Sequence, residues 1–258
     1  MAISGLAKAE RETEMMATTR EDAAVLPLQQ VEAATAFEGF EPEDFAVFTA
    51  PDLDERMPLL RQRITPKLKL LAAGLRDRMS DVAEETMFPH VALHLRRSVN
   101  PPVETWAAFA RNARAYKPFV HYRAGLSVDK FKVTVFVEDY ADDKLLFARN
   151  LARNASGIAA WCKAHPTIHA YDIPDRNGEP SSGHNLTAAA LRRFATRLQN
   201  VKGQHARFAI AFDKSHPVVG SGPQCIDTVL EAARQLRPLY DCGRPNFRYV
   251  FTPEEIRV

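Results

Sequence analysis

Apolar residues in the first half of the chain change from a helical spacing to a strand-like alternation. From Leu53 to Met79 they recur every three or four positions, which predicts an amphipathic helix with a break at Pro66. Farther along, β-branched and aromatic residues predict strands at 105–110, 119–126 and 131–137, the last two forming a hairpin. The apolar positions of the helix are Met57, Leu60, Ile64, Leu68, Leu71 and Leu75.

The second half alternates between helices and strands and includes one long polar loop. Strands that come together early and then alternate with helices predict an α+β fold with one mostly antiparallel sheet and helices packed on it. The loop at 174–183 is a candidate ligand loop or a plain surface loop, and Asn185 is a candidate cap for the next helix. The predicted elements are helices at 142–164, 187–201 and 226–236 and strands at 168–173, 206–212 and 247–251.

Residues 1–35 differ in composition from the rest of the chain. They are rich in Ala and Glu and lack aromatic residues, which predicts a disordered or loosely packed extension before a single domain at 36–258. Charges near the start leave no apolar core for a signal peptide, and no apolar run reaches the roughly 20 residues that cross a bilayer. Three cysteines are too few for a disulfide framework. We therefore expect a soluble, cytoplasmic protein with reduced thiols.

Charge is unevenly distributed along the chain. The net charge is +2, which excludes a globally basic protein. Residues 1–60, however, carry four basic and thirteen acidic side chains, whereas residues 90–123 carry six basic side chains and one acidic one. This asymmetry predicts an anionic partner for the basic segment or docking between the two segments.

The segment from His90 to Trp106 concentrates polar, planar and cationic side chains around a Pro-Pro turn. Alternation of Val91, Leu93 and Leu95 with more polar neighbours favours a strand. His90 and the histidine four residues later would then lie about 13 Å apart, too far to share a metal ion easily, whereas a helix would bring them within about 6 Å. We therefore predict no bound metal, and the rings either face a ligand or are hydrogen-bonded within the fold.

Seven further residues are candidates for ligand binding. Arginine binds phosphate and carboxylate through parallel charge-assisted hydrogen bonds, and aromatic rings stack on bases. Each candidate also has a structural alternative: surface ion pairs for the arginines, bracing of the turn for the asparagine, and core packing for the tryptophan. The candidates are Arg96, Arg97, Asn100, Trp106, Arg111, Arg114 and Tyr116.

A paired-histidine site is the catalytic hypothesis. Histidine side chains titrate near neutral pH and can therefore act as acid or base. His121 would approach His94 from a neighbouring strand, so that one ring accepts a proton and the other donates one. We name His94, His121 and His90 as candidate catalytic residues for phosphodiester or phosphoryl chemistry. The sequence contains no GxGxxG, P-loop, HExxH, GxSxG or CxxC pattern. The absence of these patterns argues against nucleotide dehydrogenases, P-loop NTPases, zincin proteases and α/β-hydrolases. No cofactor is predicted.

Two groups of residues carry a family resemblance. Residues 44–68 contain DF-x-x-F, L-x-x-RM and I-x-PKL, and residues 90–110 contain HVA-x-H-x-RR-x-VNPP-x-x-TW-x-AFA. Both patterns resemble the DUF1054 family, also called UPF0637, over roughly residues 37–213. Ala115 stands where that family usually has Gly. Phe119-Val120-His121-Tyr122 stands in place of the family's usual Pro-His-Phe. The resemblance implies an α+β fold with a curved sheet and implies no activity.

Three functional interpretations remain open, and they leave undecided whether the chain is an enzyme. The basic segment with Trp106 and Tyr116 favours binding, with or without processing, of a phosphate-bearing ligand: an anionic small molecule, a nucleotide or RNA. The histidines permit a hydrolase or transferase that acts on a small anionic metabolite. The same motif also fits a structural or protein-interaction role, in which it fixes a turn to the sheet. No membrane partner is expected.

Overall fold

A computed structural model describes residues 37–245 and 247. In this part of the chain seven strands form one sheet in the order β1-β2-β3-β4-β7-β5-β6, and the neighbouring strands pair antiparallel. The expected α+β architecture is confirmed. The expected extension at 1–35 lies outside the described residues, as does the expected last strand at 247–251 except for its first residue.

The helices and strands have the following bounds. The helices are α1 (Pro42–Ala46), α2 (Leu53–Leu59), α3 (Thr65–Ala83), α4 (Lys144–Arg153), α5 (Ala155–Ala164), α6 (Ala188–Asn200), α7 (Gly222–Gln235) and α8 (Arg237–Tyr240). The strands are β1 (Phe88–Val91), β2 (Glu104–Ala110), β3 (His121–Ser127), β4 (Lys130–Val137), β5 (Ile168–Pro174), β6 (Pro180–Ser182) and β7 (Ala206–Asp213). None of the helices described here is long and apolar enough to cross a bilayer.

One face of the sheet packs on the helices and forms the core. Because side chains alternate along a strand, every second residue of β2, β3, β4 and β7 points to this face. Leu68, Leu71 and Leu75 of α3 are completely buried there, and each such burial contributes about 1.5–3 kcal/mol. The strand residues that share this core are Ala107, Phe109, Tyr122, Ala124, Leu126, Phe131, Val133, Val135, Phe208 and Ile210.

The opposite face of the sheet has a small apolar cluster of its own. Ala108, Ala110 and Tyr116 are buried there, with Trp106 packed against them. This cluster contains no residue of the described helices, so this face, called the open face below, is covered only by its own side chains and by loops. Several strand residues of this face are nevertheless buried, among them Ala108, His121 and Arg123.

Several predicted boundaries are wrong, each for a local reason. The helix predicted at 142–164 is two helices divided at Asn154, whose side-chain amide donates to the Asn150 carbonyl at 2.9 Å. Thr187 rather than Asn185 caps α6, because its hydroxyl accepts from the Ala190 N–H at 3.1 Å. The predicted loop at 174–183 contains the short strand β6. Pro66 lies in the first turn of α3, where a missing N–H costs little; the irregularity before it is a π-turn.

The strand predicted through Leu95 is also too long. β1 ends at Val91, and the chain then turns away from the sheet through the loop that contains the Pro-Pro pair. Arg56 of α2 stabilises this loop: its guanidinium is buried and donates to the carbonyls of Pro102 (3.0 Å) and Ala50. Arg96 and Arg97 therefore lie in this loop and not on a strand.

Candidate functional site

The two histidines of the HVALH motif lie in different surroundings. His90 is on β1, opposite Ala108. His94 lies in the following turn with a left-handed φ of 53°, and its Nε2 is 3.1 Å from the hydroxyl of Thr105. Its ring packs edge-on against Trp106 at 5.4 Å. A left-handed residue interrupts the strand, so the spacing argument that placed both rings on one strand face does not apply.

Burial and nearby positive charge keep the His94 ring neutral. Desolvation and the cations Arg97 and Lys117 lower its pKa to about 4, against a smaller opposite effect of Glu104. At neutral pH the imidazole is therefore uncharged. His94 and Arg97 also line a common pocket, and the His94 ring packs against Trp106.

His90 and His121 form a buried cluster with Tyr116 between them. The Tyr116 ring is 5.3 Å from His90 and 5.0 Å from His121. The Asn112 carbonyl accepts from Nε2 of His90 at 2.9 Å. His121 is fully buried, and its Nδ1 donates to the Phe119 carbonyl at 2.7 Å. Burial lowers the pKa of both rings, that of His121 well below the ordinary range.

Arg123 fixes the tautomer of His121. An arginine can only donate, so the 2.8 Å contact from its Nε makes Nε2 of His121 the acceptor. Both nitrogens of His121 are then occupied. The geometry therefore provides no free nitrogen on His121 for proton transfer unless the bond to Arg123 breaks.

Arg123 itself lies at the centre of the open face. Its guanidinium carbon is 3.4 Å from the ring centre of Phe136 and 4.2 Å from that of Trp106. Nη2 donates to Glu138 at 2.6 Å, and Nε donates to His121. The Arg123 side chain is 7% exposed. Burial lowers its pKa, while the Glu138 carboxylate counteracts this effect. An arginine remains charged under such conditions.

A shallow cleft with a volume of about 30 Å³ opens beside Arg123. Its aromatic walls are Trp106, Phe136 and Tyr171. Small residues line it as well. Close packing requires a glycine at position 125, because a Cβ there would come within 2.6 Å of the Trp106 Cβ. The complete lining is Glu104, Thr105, Trp106, Arg123, Gly125, Lys132, Thr134, Phe136, Tyr171, Arg207 and Ala209.

The charges in this cleft are balanced by pairing. Lys132 donates to Glu104 at 2.9 Å, and Arg207 donates to Asp172 through two nitrogens, the closer at 2.7 Å. Arg123 is paired with Glu138. The cleft therefore combines aromatic walls with polar groups and has little net charge of its own.

Exposed positive charge lies on the loops that connect β1 to β2 and β2 to β3. Arg96, Arg97, Arg114 and Lys117 are exposed, and none forms an ion pair with a described residue. We call these four residues the rim cations. Arg97 donates to the Asn100 carbonyl at 3.1 Å, and the Asn100 side chain is exposed. Negative groups from a ligand would find no competing internal carboxylate at the rim cations.

The structure thus separates the predicted site residues into several places. The buried cluster contains His90, Tyr116 and His121, and the cleft contains Trp106. His94 and Arg97 line a second pocket together with residues of α2, and Arg96, Asn100 and Arg114 are exposed on loops. Arg111 belongs to none of these, because it pairs with Asp143 at 2.6 Å and lies over Phe119.

Sequence reasoning named only Trp106 among the residues that line the cleft. Its charged and tyrosine residues from β3, β4, β5 and β7, namely Arg123, Lys132, Tyr171 and Arg207, were not among the candidates. For Lys132 a signal was present: in KFKVTVFV the apolar residues other than Phe136 occupy one parity, so Lys132 and Thr134 point away from the core. For the others, only the neighbours of the strand in the sheet reveal the cleft.

A cluster that resembles a metal site lies at the end of β4. Ligand atoms of Glu138, Asp139 and His205 are within 4.8 Å of one another. Glu138 is already bound by Arg123, and Nδ1 of His205 accepts from the Asp139 N–H at 3.2 Å. These contacts account for the cluster as an internal polar network, and we assign it no metal.

Comparison with known proteins places the chain in a family. A family model described as a domain of unknown function, DUF1054, matches residues 40–240, which include the cleft and its rim. A UPF0637 protein of Staphylococcus aureus (strain MSSA476) is 41% identical over 201 residues, covering 78% of this chain and 97% of that protein. A UPF0637 protein of Bacillus velezensis is 32% identical over 210 residues, covering 78% and 94%. As its motifs indicated, the chain belongs to the uncharacterised DUF1054, or UPF0637, family.

Proposed function

We propose that this protein binds a nucleotide or the nucleotides of a single-stranded RNA on the open face of its sheet. A base packs over the mouth of the shallow cleft that Trp106 borders, and its phosphate contacts the rim cations. The observation that carries the proposal is this cleft with aromatic walls and a buried arginine, together with exposed cations on the β1–β2 and β2–β3 loops that have no described ion-pair partner.

Aromatic rings on a sheet face are suited to bases. Every base has a π-face, and stacking on an aromatic side chain contributes about 1–3 kcal/mol per base. Trp106 is half-buried, and Arg123 and Gly125 hold its ring in place, so little side-chain freedom is lost when a base binds. The paired charges of Lys132 and Arg207 provide hydrogen-bonding groups without attracting free phosphate strongly.

Phosphate is better placed on the rim than in the cleft. The cations within the cleft already hold Glu104, Glu138 and Asp172, and a phosphate there would compete with three carboxylates. Arg97 shares a pocket with His94, whose ring packs against Trp106, so among the rim cations it is the one that geometry links to a ligand at Trp106. A ligand with an apolar ring and a negative group matches this division.

Binding without chemistry is proposed because the candidate catalytic histidines are engaged elsewhere. Both nitrogens of His121 are bonded, His90 donates to a backbone carbonyl, and Nε2 of His94 is bonded to Thr105. No observation on the described residues favours a hydrolase or transferase over a binding protein.

The test is binding of a fluorescein-labelled, mixed-sequence RNA octamer followed by anisotropy at low salt. Removing the ring in Trp106→Ala takes away one stacking platform, and we expect Kd to rise about 5- to 100-fold. The control is Leu145→Ala, which removes an exposed apolar side chain from α4 and leaves the cleft intact.

Two further measurements make this test decisive. In a Trp161→Phe background, Trp106 is the remaining tryptophan, and ligand should change its fluorescence. Circular dichroism melting establishes that each variant is folded. Absence of binding by the native protein at millimolar mononucleotide and micromolar RNA, or an unchanged Kd in folded Trp106→Ala, would contradict the proposal.

A further inference from the structure

The helices α4, α5 and α6 contain basic residues but no acidic ones. Residues 144–212, which include these helices, carry ten basic and three acidic side chains, a charge of +7 in a chain whose net charge is +2. The apolar sides of the three helices lie in the core, so their charged sides form the outer surface, across the sheet from the open face. The basic residues of the helices are Lys144, Arg149, Arg153, Lys163, Arg192, Arg193 and Arg197.

Packing brings the charged sides of α4 and α6 together. Lys144, the first residue of α4, donates from Nζ to the carbonyl of Val201, just after α6, at 3.3 Å. Near the start of α6, Nη2 of Arg192 donates to the hydroxyl of Ser156, at the start of α5, at 3.0 Å. Because α5 follows α4 directly, these contacts show that α4 and α6 lie side by side and antiparallel. The helical arginine face is the name used below for four exposed residues of these two helices: Arg149, Arg153, Arg193 and Arg197.

The positive charges of the helical arginine face are not neutralised within the described part of the chain. None of the four arginines forms an ion pair with a described residue, and Arg197 donates to the neutral amide of Gln204 at 2.7 Å. On each helix the two arginines are four residues apart, a spacing at which like charges repel and destabilise the helix. A bound polyanion would remove this repulsion.

The chemistry of the surface favours phosphate in nucleic acid. The planar guanidinium of arginine binds phosphate through parallel charge-assisted hydrogen bonds. A helix that lies on a membrane buries an apolar side in the bilayer, whereas the apolar sides of α4, α5 and α6 lie in the core and Leu145 is their one exposed large apolar residue. The centre of a protein interface is also apolar, often aromatic. A surface carried by charge alone instead fits the backbone of a nucleic acid.

We propose that the helical arginine face binds the phosphate backbone of double-helical nucleic acid without reading its sequence. Single strands gain binding energy by stacking on aromatic side chains, and α4, α5 and α6 have no exposed aromatic residue. A duplex presents about one negative charge per 1.7 Å of its axis, so several phosphates lie along the 13 residues of α6, which span about 20 Å. Phosphate contacts fix position and carry no sequence information. This surface is separate from the site proposed at Trp106 and does not depend on it.

The test is anisotropy of fluorescein-labelled duplexes of about two helical turns, one of RNA and one of DNA in the same sequence, titrated with the full-length protein over a series of salt concentrations. Each phosphate contact adds about 0.9 to the slope of log K against log salt, so contacts from the four arginines and the neighbouring cations give a slope between about −3.5 and −6. Tighter binding of one duplex identifies whether RNA or DNA is the source of the backbone, and either result supports the proposal.

Two double variants test the arginines themselves. Arg193→Gln with Arg197→Gln on α6 should make the slope shallower by about 1.8 and raise Kd about tenfold or more at 0.1 M salt. Arg149→Gln with Arg153→Gln on α4 should do the same, which excludes a local effect on one helix. Circular dichroism melting shows whether each variant is folded.

A matched control removes two exposed arginines from another part of the helical layer. Arg76→Gln with Arg78→Gln on α3 makes the same change in net charge. This helix packs over β1 and β2, whereas α6 packs on β5 toward the other end of the sheet. We expect the control to leave the slope unchanged and Kd within about twofold of the native value.

The outcomes separate this inference from the proposed function. An unchanged slope in both folded double variants, or an equal loss in the control, overturns the helical arginine face as a duplex site. So does an equal loss of single-stranded octamer binding in the double variants. Displacement of the duplex by phosphatidylserine vesicles or a glutamate peptide, as effectively as by unlabelled duplex at equal charge, would assign the face to a membrane or an acidic protein. Duplex binding that survives Trp106→Ala, in a protein that binds no octamer, supports this inference and overturns the proposed function alone.

Discussion

Among single residues, Arg123 organises the open face. Its side chain lies between Trp106 and Phe136, bonds to His121 and pairs with Glu138. A buried ion pair is not in itself evidence of stability, because the desolvation of two charges offsets much of their attraction. The arrangement does fix the geometry of the guanidinium. Its Nε is held by His121 and its Nη2 by Glu138.

His94 provides a prediction on pH and stability. Its pKa in the folded protein is about 4, against about 6.5 in an unfolded chain, so the unfolded state binds more protons between these values. The free energy of unfolding that the neutral His94 ring contributes is fully present above pH 6.5. It is lost as the pH falls toward 4. The full loss is on the order of 2 kcal/mol, since the ring retains some solvent exposure.

His94→Asn removes this titration while keeping a residue that tolerates the left-handed backbone. We expect the decrease in the free energy of unfolding between pH 7 and pH 5 to be smaller than in the native protein, measured by urea denaturation. His90 and His121, whose pKa values are also lowered, retain their share of the decrease. His184→Asn, at an exposed histidine, serves as control. An undiminished pH dependence in His94→Asn would contradict the assignment.

Sequence reasoning identified Trp106 and the basic rim but not the bonding state of the histidines. Residue type and spacing indicate where polar groups accumulate. They do not reveal that His94 adopts φ 53° or that Arg123 bonds to Nε2 of His121, because both depend on how a loop and a neighbouring strand pack. The three histidines therefore looked like a catalytic group in the sequence, although each makes a hydrogen bond within the fold.

At the scale of elements, alternation predicted the strands better than it predicted where they end. β3 and β4 form the expected hairpin because their apolar residues keep a period of two over seven or eight residues. β1 stops after four residues because the next segment must leave the sheet to reach the Pro-Pro turn that Arg56 stabilises. The break between α4 and α5 carries no proline or glycine signal, so the sequence predicted one helix there.

The approach of β2 to β3 makes Gly125 a test of the cleft. A Cβ at this position would lie 2.3 Å from the Thr105 carbonyl oxygen and 2.6 Å from the Trp106 Cβ, so the two strands would have to separate. We expect Gly125→Ala to lower the free energy of unfolding by about 1–3 kcal/mol and to shift the fluorescence of Trp106 in a Trp161→Phe background.

Gly74→Ala is the matched control for this substitution. Gly74 lies inside α3, where its added Cβ would meet the flexible end of the Ile226 side chain, and where alanine favours the helix. We expect Gly74→Ala to preserve Trp106 fluorescence. If Gly125→Ala left both stability and fluorescence unchanged, the close packing of Trp106 on β3 would be refuted.

At the scale of the whole molecule, the helices decide which sheet face can act as a site. The sequence predicts two faces for each strand, but only the assembled structure shows that the described helices share one core and leave the other face to Trp106, Arg123 and Tyr171. Net charge alone gives no hint of this division, since it is only +2. The local excess of positive charge predicted for residues 90–123 does coincide with the exposed rim cations.

This distribution of charge predicts a modest salt dependence. Charges within the cleft are paired, so counterion release on RNA binding should come from the rim cations, four at most. For single strands, each phosphate contact adds about 0.7 to the slope of log K against log salt, which gives an expected slope between about −1.5 and −3. Arg97→Gln and Lys117→Gln should each reduce this slope by about 0.7, whereas Arg234→Gln on α7 should leave it unchanged. Anisotropy titrations of the RNA octamer across a series of salt concentrations measure the slope. A zero slope would exclude phosphate contacts at the rim. If Arg234→Gln reduced the slope as strongly as Arg97→Gln does, the RNA would instead lie on the helical side of the molecule.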